Sequence, residues 1–289
     1  MPANNLWADV SAIAQSVQED AYFIVREASL LPSLVTVFTD MNGLNTRKSY
    51  KYNNGTAKVV GEADDLTSDA FTPSLDQTLT PYEIGEQFFI TDSRRESEAP
   101  ESIMTDAARE LGFAAADKLE SDIIGDMASL TGGTIGASGT TISWDYLAKS
   151  IALARGVNKN AKKPLVAVIH GYQWYILAKA ATIAGATVAV APGQQDQLTN
   201  AGASVQVASF MGVPIYQVFG GVDSSTDFTG GVFPREALAL DWRRLIRVEA
   251  ERDASRRGVE LNMSGVYAHG VWRPTLGVKM IFAAATPAN

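Results

Sequence analysis

Apolar and polar residues alternate with different periods along the chain, and each change of period marks a different element. Between residues 5 and 30, Leu6, Val10, Ile13, Val17, Tyr22, Ile24 and Val25 begin three to four positions apart, which predicts a helical, partly amphipathic arm ending before Pro32. Strand signals follow. Asn54-Gly55 is a turn signal between Lys51-Tyr52 and Thr56-Ala57, and Thr78 to Thr91 contains the strand-like run Gln87-Phe88-Phe89-Ile90-Thr91. The intervening Gly61 to Ser74 is polar and acidic, with Glu62, Asp64, Asp65 and Asp69. Connections of this length are usually functional or mobile, so residues 46–93 are expected to form a long hairpin reaching away from the body.

A helical period then takes over. Ile103, Ala107, Leu111, Ala115, Leu119, Ile123 and Met127 recur every four residues, with Met104, Ala108, Ala114 and Ile124 widening the stripe. Pro100 suits the first turn, Glu101 and Asp106 suit its positive end, and Thr131-Gly132-Gly133 stops it. About 30 residues at 1.5 Å each make a strut of roughly 45 Å. From Ser143 the pattern is α/β: a helix through Ala154 capped by Ser143, a buried strand from Pro164 to Ile169, a helix from Tyr172 to Ala181, and two short strands around Gly212 and Pro214. Beyond Gly230-Gly231, Ile246, Val248 and Ala250 alternate with Arg247, Glu249 and Glu251, and Val259 to Leu261 and Gly277 to Phe282 read as further strands beside the long helix. Residues 185–202 read as an Ala/Gly/Gln-rich surface loop, and no repeat of 20 to 50 residues is present.

Composition narrows the function. A chain of 289 residues suggests about two lobes, and 46% apolar with 19% charged residues indicates an ordered globular protein. A net charge of -8 repels phosphate backbones, which disfavours sequence-independent nucleic-acid binding by the whole surface. The absence of cysteine removes disulfides, thiolate metal sites and cysteine nucleophiles. The first fourteen residues lack a basic stretch followed by an apolar run, and the most apolar run, Ala180 to Ala191, is too short to span a bilayer; a soluble protein made in a cytoplasm is expected.

Catalytic constellations are sparse. There is no Gly-rich phosphate loop, no histidine pair at metal spacing and no Gly-x-Ser-x-Gly elbow. His170 follows the apolar strand where a base is conceivable, but it and His269 read as structural imidazoles, so neither a catalytic nor a cofactor site is assigned. Glu62, Asp64, Asp65 and Asp69 do not match a calcium loop. Asp223 to Asp227 reads as turn chemistry. Arg243, Arg244, Arg247, Arg252, Arg256 and Arg257 concentrate positive charge; they are either surface ion pairs with Glu249, Glu251 and Asp253 or a docking patch for the acidic hairpin, with genome contact third because no aromatics are interleaved.

The order of these segments resembles the Hong Kong 97-like fold of tailed-phage major capsid proteins over residues 1 to about 283. Val59-Val60-Gly61-Glu62-Ala63 followed by Thr78-Leu79-Thr80-Pro81 is similar to that family's extended loop, and Phe89-Ile90-Thr91-Asp92-Ser93 before Pro100 is similar to its approach to the spine helix. Phe210-Met211-Gly212-Val213-Pro214-Ile215 resembles a strand of its axial domain, and Val266 to Lys279, with Trp272, Arg273 and Pro274, resembles the closing strand of its peripheral domain.

The resemblance implies an α+β fold divided into an N-terminal arm (1–45), an extended hairpin loop (46–93), a peripheral domain with the spine helix (94–140), a central α/β axial domain (141–229) and C-terminal strands completing the peripheral domain (230–289). It implies a structural protein, not an enzyme, which self-assembles as hexamers and pentamers into an icosahedral virion head around double-stranded DNA in the host cytoplasm. DNA contact would not be sequence-specific, and no membrane or cofactor is involved. The family's fused-scaffold members carry a longer N-terminal extension, so a separate scaffolding protein, or none, is expected, with a portal and optionally decoration proteins as further partners. No lysine, asparagine and glutamate set for an isopeptide bond is recognisable around Lys58, so the shell is expected to lack covalent links. The predicted inter-subunit contact pairs Glu62, Asp64, Asp65 and Asp69 with Arg243, Arg244, Arg256 and Arg257. The alternatives are an encapsulin-like nanocompartment shell, which shares the fold, and a hydrolase using the α/β lobe near His170.

Overall fold

The structure is a computed structural model that describes residues 29–40, 43–52, 59–62, 70–97, 100–157, 163–183 and 206–287. The helical arm expected over residues 5–30, the Asn54-Gly55 turn and the loop at 185–202 fall largely or wholly outside these residues.

Two sheets and one long helix organise the chain. Helix α1 (Leu31–Leu34), with Pro32 in its first turn, leads into β1 (Thr36–Phe38). Strands β2 (Arg47–Tyr52) and β3 (Pro73–Leu79) follow, then β4 (Tyr82–Thr91), α2 (Asp92–Ser97) and the strut α3 (Pro100–Met127). Next come β5 (Thr134–Gly136), α4 (Trp144–Val157), β6 (Leu165–His170), α5 (Gly171–Ile183), β7 (Gln206–Phe210), β8 (Val213–Val218) and β9 (Asp227–Pro234). The chain closes with β10 (Leu238–Asp253), β11 (Gly258–Val271) and β12 (Val278–Ala283). The four-stranded sheet has the order β1-β10-β11-β4 and the six-stranded sheet β5-β12-β9-β6-β8-β7, while β2 and β3 pair only with each other.

The predicted stripe on the long helix is the one that packs. Leu111, Ala115, Leu119, Ile123 and Met127 are all buried, against Leu240, Ile246, Val248, Val259, Leu261 and Met263 of β10 and β11. Its twenty-eight residues agree with the expected strut. Strand β6 is buried on both faces, which explains its unbroken apolar run: Val168 points into the core beneath α3, while Leu165, Ala167 and Ile169 point into a second core with Leu147 and Ile151 of α4. Ser143 Oγ accepts a hydrogen bond from the Tyr146 amide at 3.4 Å, the expected cap. Met211 and Gly212 both have positive φ, as a two-residue turn joining β7 to β8 requires.

Two expectations are redrawn. The hairpin consists of β2 and β3 alone; β4, assigned to it from sequence, lies in the four-stranded sheet as the partner of β11, with Tyr82 opposite Tyr267 and Thr91 opposite Gly258. Residues 230–289 do not all complete one lobe either. Strands β10 and β11 join the four-stranded sheet, but β12 lies between β5 and β9 in the six-stranded one, burying Val278, Met280 and Phe282 in the second core. The period-2 pattern of β12 fits either sheet, and only pairing with strands distant in sequence decides between them.

Candidate assembly interface

The hairpin is fixed at its root and uncovered along its length. At the root, Leu79 packs with Ala239 and Ala268, next to Phe38 and Trp272, whose rings meet edge-on at 5.2 Å. Arg47 crosses to the body, its Nε donating to Asp241 Oδ2 at 2.8 Å while its Nη2 bonds Asp40. That hydrogen bond and the Asp40 backbone amide hold the Asp40 carboxyl below its usual range. Further out, Arg273 Nη1 donates to the Tyr50 carbonyl at 3.3 Å and lies 3.5 Å from Asp76.

Beyond the root, Ser49 is the sole buried side chain of β2. Tyr50, Tyr52, Phe71 and Leu75 are exposed, as are Val59 and Val60. The Tyr52 and Phe71 rings stack in parallel at 4.7 Å, so the exposed apolar surface is a preformed plate. Lys48 and Lys51 are exposed on the same strand. Such a surface normally marks an interaction site. Sequence reasoning placed the hairpin's binding chemistry in its acidic tip and passed over this plate, although Tyr50 and Tyr52 alternate visibly with Lys51. Of the tip residues, Glu62 is exposed, and Asp64, Asp65 and Asp69 lie outside the described residues.

The arginine-rich segment divides. Arg243 points inward: its side chain is 1% exposed, and Nη2 lies 2.7 Å from the wholly buried Asp241, out of line for a hydrogen bond, so charge holds the pair. Arg244 is half-exposed, bonding Glu83 and reaching Ser264 Oγ at 3.3 Å. Arg252 grips Asp92 through both terminal nitrogens, and Arg247 sits 3.3 Å from Glu249. Arg256 pairs with Glu260 at 2.8 Å and covers the Phe89 ring at 4.0 Å. Arg257, in the β10–β11 turn with φ +52°, is exposed and makes no ion pair among the described residues. An open groove of about 470 Å³ runs between α3 and the edge strand β4, floored by Ile84, Ala115 and Met263 and rimmed by Glu83, Glu86 and Lys118.

Both histidines have partners. His170 Nδ1 accepts the Tyr172 amide at 3.1 Å, and Phe219 and Phe228 wall its ring; burial lowers its pKa below the ordinary imidazole value. His269 lies against α3 with Nδ1 2.8 Å from Asp126 Oδ2. Asp122 and Asp126 sit one turn apart at the edge of the apolar stripe, a spacing that could have announced a polar seam. No group of three or more potential metal ligands occurs among the described residues.

No protein-family model and no curated protein matches the chain. Solved structures do. The capsid structure of cyanophage P-SCSP1u matches with a TM-score of 0.63 at 14% identity, over 90% of this chain and 89% of that one. Mycobacterium phage Bobi matches with a TM-score of 0.63 at 15% identity, over 90% and 92% of the two chains. A virus-like particle from Pyrococcus furiosus matches with a TM-score of 0.59 at 12% identity, over 92% and 98%. The chain therefore has the mixed helix-and-sheet Hong Kong 97-like capsid fold.

Proposed function

We propose that this chain is a major capsid protein, a structural subunit that self-assembles into the icosahedral head of a tailed bacteriophage and encloses double-stranded DNA. The observation that carries this reading is likeness to phage shells over 90% of the chain, which leaves little of it for another activity. Hexamers and pentamers are the assembling units, and a separate scaffolding protein, a portal and decoration proteins are the further partners. Assembly occurs in the host cytoplasm. The acidic chain meets packaged DNA without reading its sequence.

The hairpin joins neighbouring copies. Its Tyr52–Phe71 plate, on a hairpin that also exposes Lys48 and Lys51, meets the groove between α3 and β4, whose floor is Ile84, Ala115 and Met263 and whose rim carries Glu86 beside Glu83 and Lys118. Strand β4 leads from that groove to the β10–β11 turn, the seven steps from Ile84 to Thr91 covering roughly 24 Å. The acidic tip, Glu62, Asp64, Asp65 and Asp69, docks there on Arg256 and Arg257; Arg244 lies at the groove end, paired with Glu83, and Arg243 is already committed to Asp241. Modest contacts become strong when repeated around a closed lattice.

A second reading, an encapsulin-like nanocompartment shell, is favoured by the likeness to the archaeal virus-like particle. Purified particles treated with nuclease separate the two. Protected double-stranded DNA inside supports the phage head, a protein cargo without DNA supports the nanocompartment, and failure to form particles removes both.

A further inference from the structure

We infer that His269 is a proton-dependent latch that holds the C-terminal end of α3 onto β11, at the joint between the two sheets. This goes beyond the assembly reading and stands whether or not the subunit assembles.

The joint is where both long elements change sheets. Helix α3 leaves the four-stranded sheet and runs through Leu130 into β5; β11 leaves the same sheet and runs through Pro274–Leu276 into β12. The two crossings are tied together by the Thr131 amide to the Pro274 carbonyl and the Gly132 amide to the Gly277 carbonyl, both at 2.9 Å. His269 lies just before this crossing.

Helix α3 has no basic residue in its last turn, yet Asp126 is in that turn and Asp122 is one turn earlier. Carboxylates at the negative end of a helix dipole are unfavourable, and a cation there is stabilising. The sheet supplies it: His269 Nδ1 is 2.8 Å from Asp126 Oδ2, and Nε2 is 3.9 Å from Asp122 Oδ2. The remaining groups facing the cluster are known. From α3, Lys118 Nζ bonds Asp122 at 2.6 Å. From β11, Tyr267 donates to Asp122 at 2.6 Å, and from β4, Tyr82 donates to the same oxygen. On β10, Leu240 pairs with His269 and Trp242 meets the Tyr267 ring at 5.3 Å, so that strand adds no charge. From β12, Lys279 Nζ reaches the Ala128 carbonyl at 3.3 Å, beyond Asp126.

Charges balance only with the proton in place. Burial raises both tyrosines and Asp122 keeps them neutral donors; burial also raises the Asp122 carboxyl, but Lys118, Tyr267 and Tyr82 outweigh it and hold it ionised. Burial pushes the Asp126 carboxyl up against the pull of His269. For His269, burial favours the neutral ring, but the hydrogen bond to Asp126 and the charges of Asp126 and Asp122 raise it above the ordinary 6.5, with Lys118 opposing. The latch is therefore fully closed below 6.5 and opens as pH rises through the higher folded-state value. Opening leaves Asp122 to Lys118 and the two tyrosines and takes the cation away from Asp126, and the last turn of α3 loosens.

Hydrogen-exchange mass spectrometry of the full chain tests this, comparing peptides over 119–130 and 266–273 with a peptide over 108–117, each corrected for intrinsic exchange at pH 6 and pH 8.5. Protection of the first two should fall roughly threefold relative to the third on raising the pH, the size expected of one lost charge at a helix end. His269→Gln keeps a hydrogen-bonding side chain but cannot take a proton, and should sit at the high-pH level at both values. Asp126→Asn, a second variant that retains the shape, should also flatten the response. A wild-type ratio that does not change with pH overturns the latch, as does a His269→Gln chain that keeps the wild-type slope.

Discussion

Strand pairs β10–β11 and β2–β3 are both antiparallel ribbons rich in charged and aromatic residues, and they differ in what covers them. The first lies under α3, so Leu240, Ile246, Val248, Leu261, Met263 and Tyr267 leave water, and Arg247, Glu249, Glu251 and Arg252 face out. The second has only its root on the body, and its Tyr50, Tyr52 and Leu75 stay in water. An isolated two-stranded hairpin is marginal on its own. The difference teaches that β10–β11 buries its apolar face within the chain while β2–β3 leaves its own uncovered, which is why the proposed assembly sets a neighbour there.

Substitutions can break that contrast at the point where the two regions touch. Asp241→Ala strips the buried guanidinium of Arg243 and the root contact of Arg47 together, so loss of about 3–5 kcal/mol of subunit stability is expected in urea unfolding. Leu119→Ala, inside the α3 seam, should cost roughly 2–5 kcal/mol by the same measurement. The same truncation on the hairpin, Leu75→Ala, or removal of the plate by Phe71→Ala, should leave unassembled subunits within about 0.5 kcal/mol of wild type while reducing particle yield. Arg252→Ala, which breaks an exposed pair with Asp92, should cost about 0–1 kcal/mol and be muted by salt.

The two histidines sharpen the contrast with opposite signs of pH dependence. His170 is held below its ordinary 6.5 by burial, so the unfolded chain takes up the proton first and stability falls as pH drops through 6.5 and below. His269 is held above 6.5, and its contribution is lost as pH rises. His170→Phe should flatten the acid limb and His269→Gln the alkaline limb of a melting-temperature profile.

The long helix and β6 were legible because their patterns are set locally, by a sustained stripe in one and an unbroken apolar run in the other. Strand β4 was legible as a strand but not as part of the body, since its partner β11 begins at Gly258, far along the chain. Arg243 was misleading for a different reason: it follows Asp241 by two residues on the face that the hairpin root covers, beside Asp40 and Arg47, so a residue read as surface is buried by contacts distant in sequence. The exposed Tyr52–Phe71 plate escaped because β-strand chemistry is the same whether a strand is covered by its own helix or left open.

Sedimentation velocity of the purified chain, with and without a co-expressed scaffold, tests assembly most directly when run beside the Tyr52→Ala, Phe71→Ala double variant. Megadalton wild-type particles, closed shells by electron microscopy, and small folded species with an unchanged unfolding midpoint for the variant are expected. A wild-type chain that remains monomer or dimer in both conditions would contradict the account.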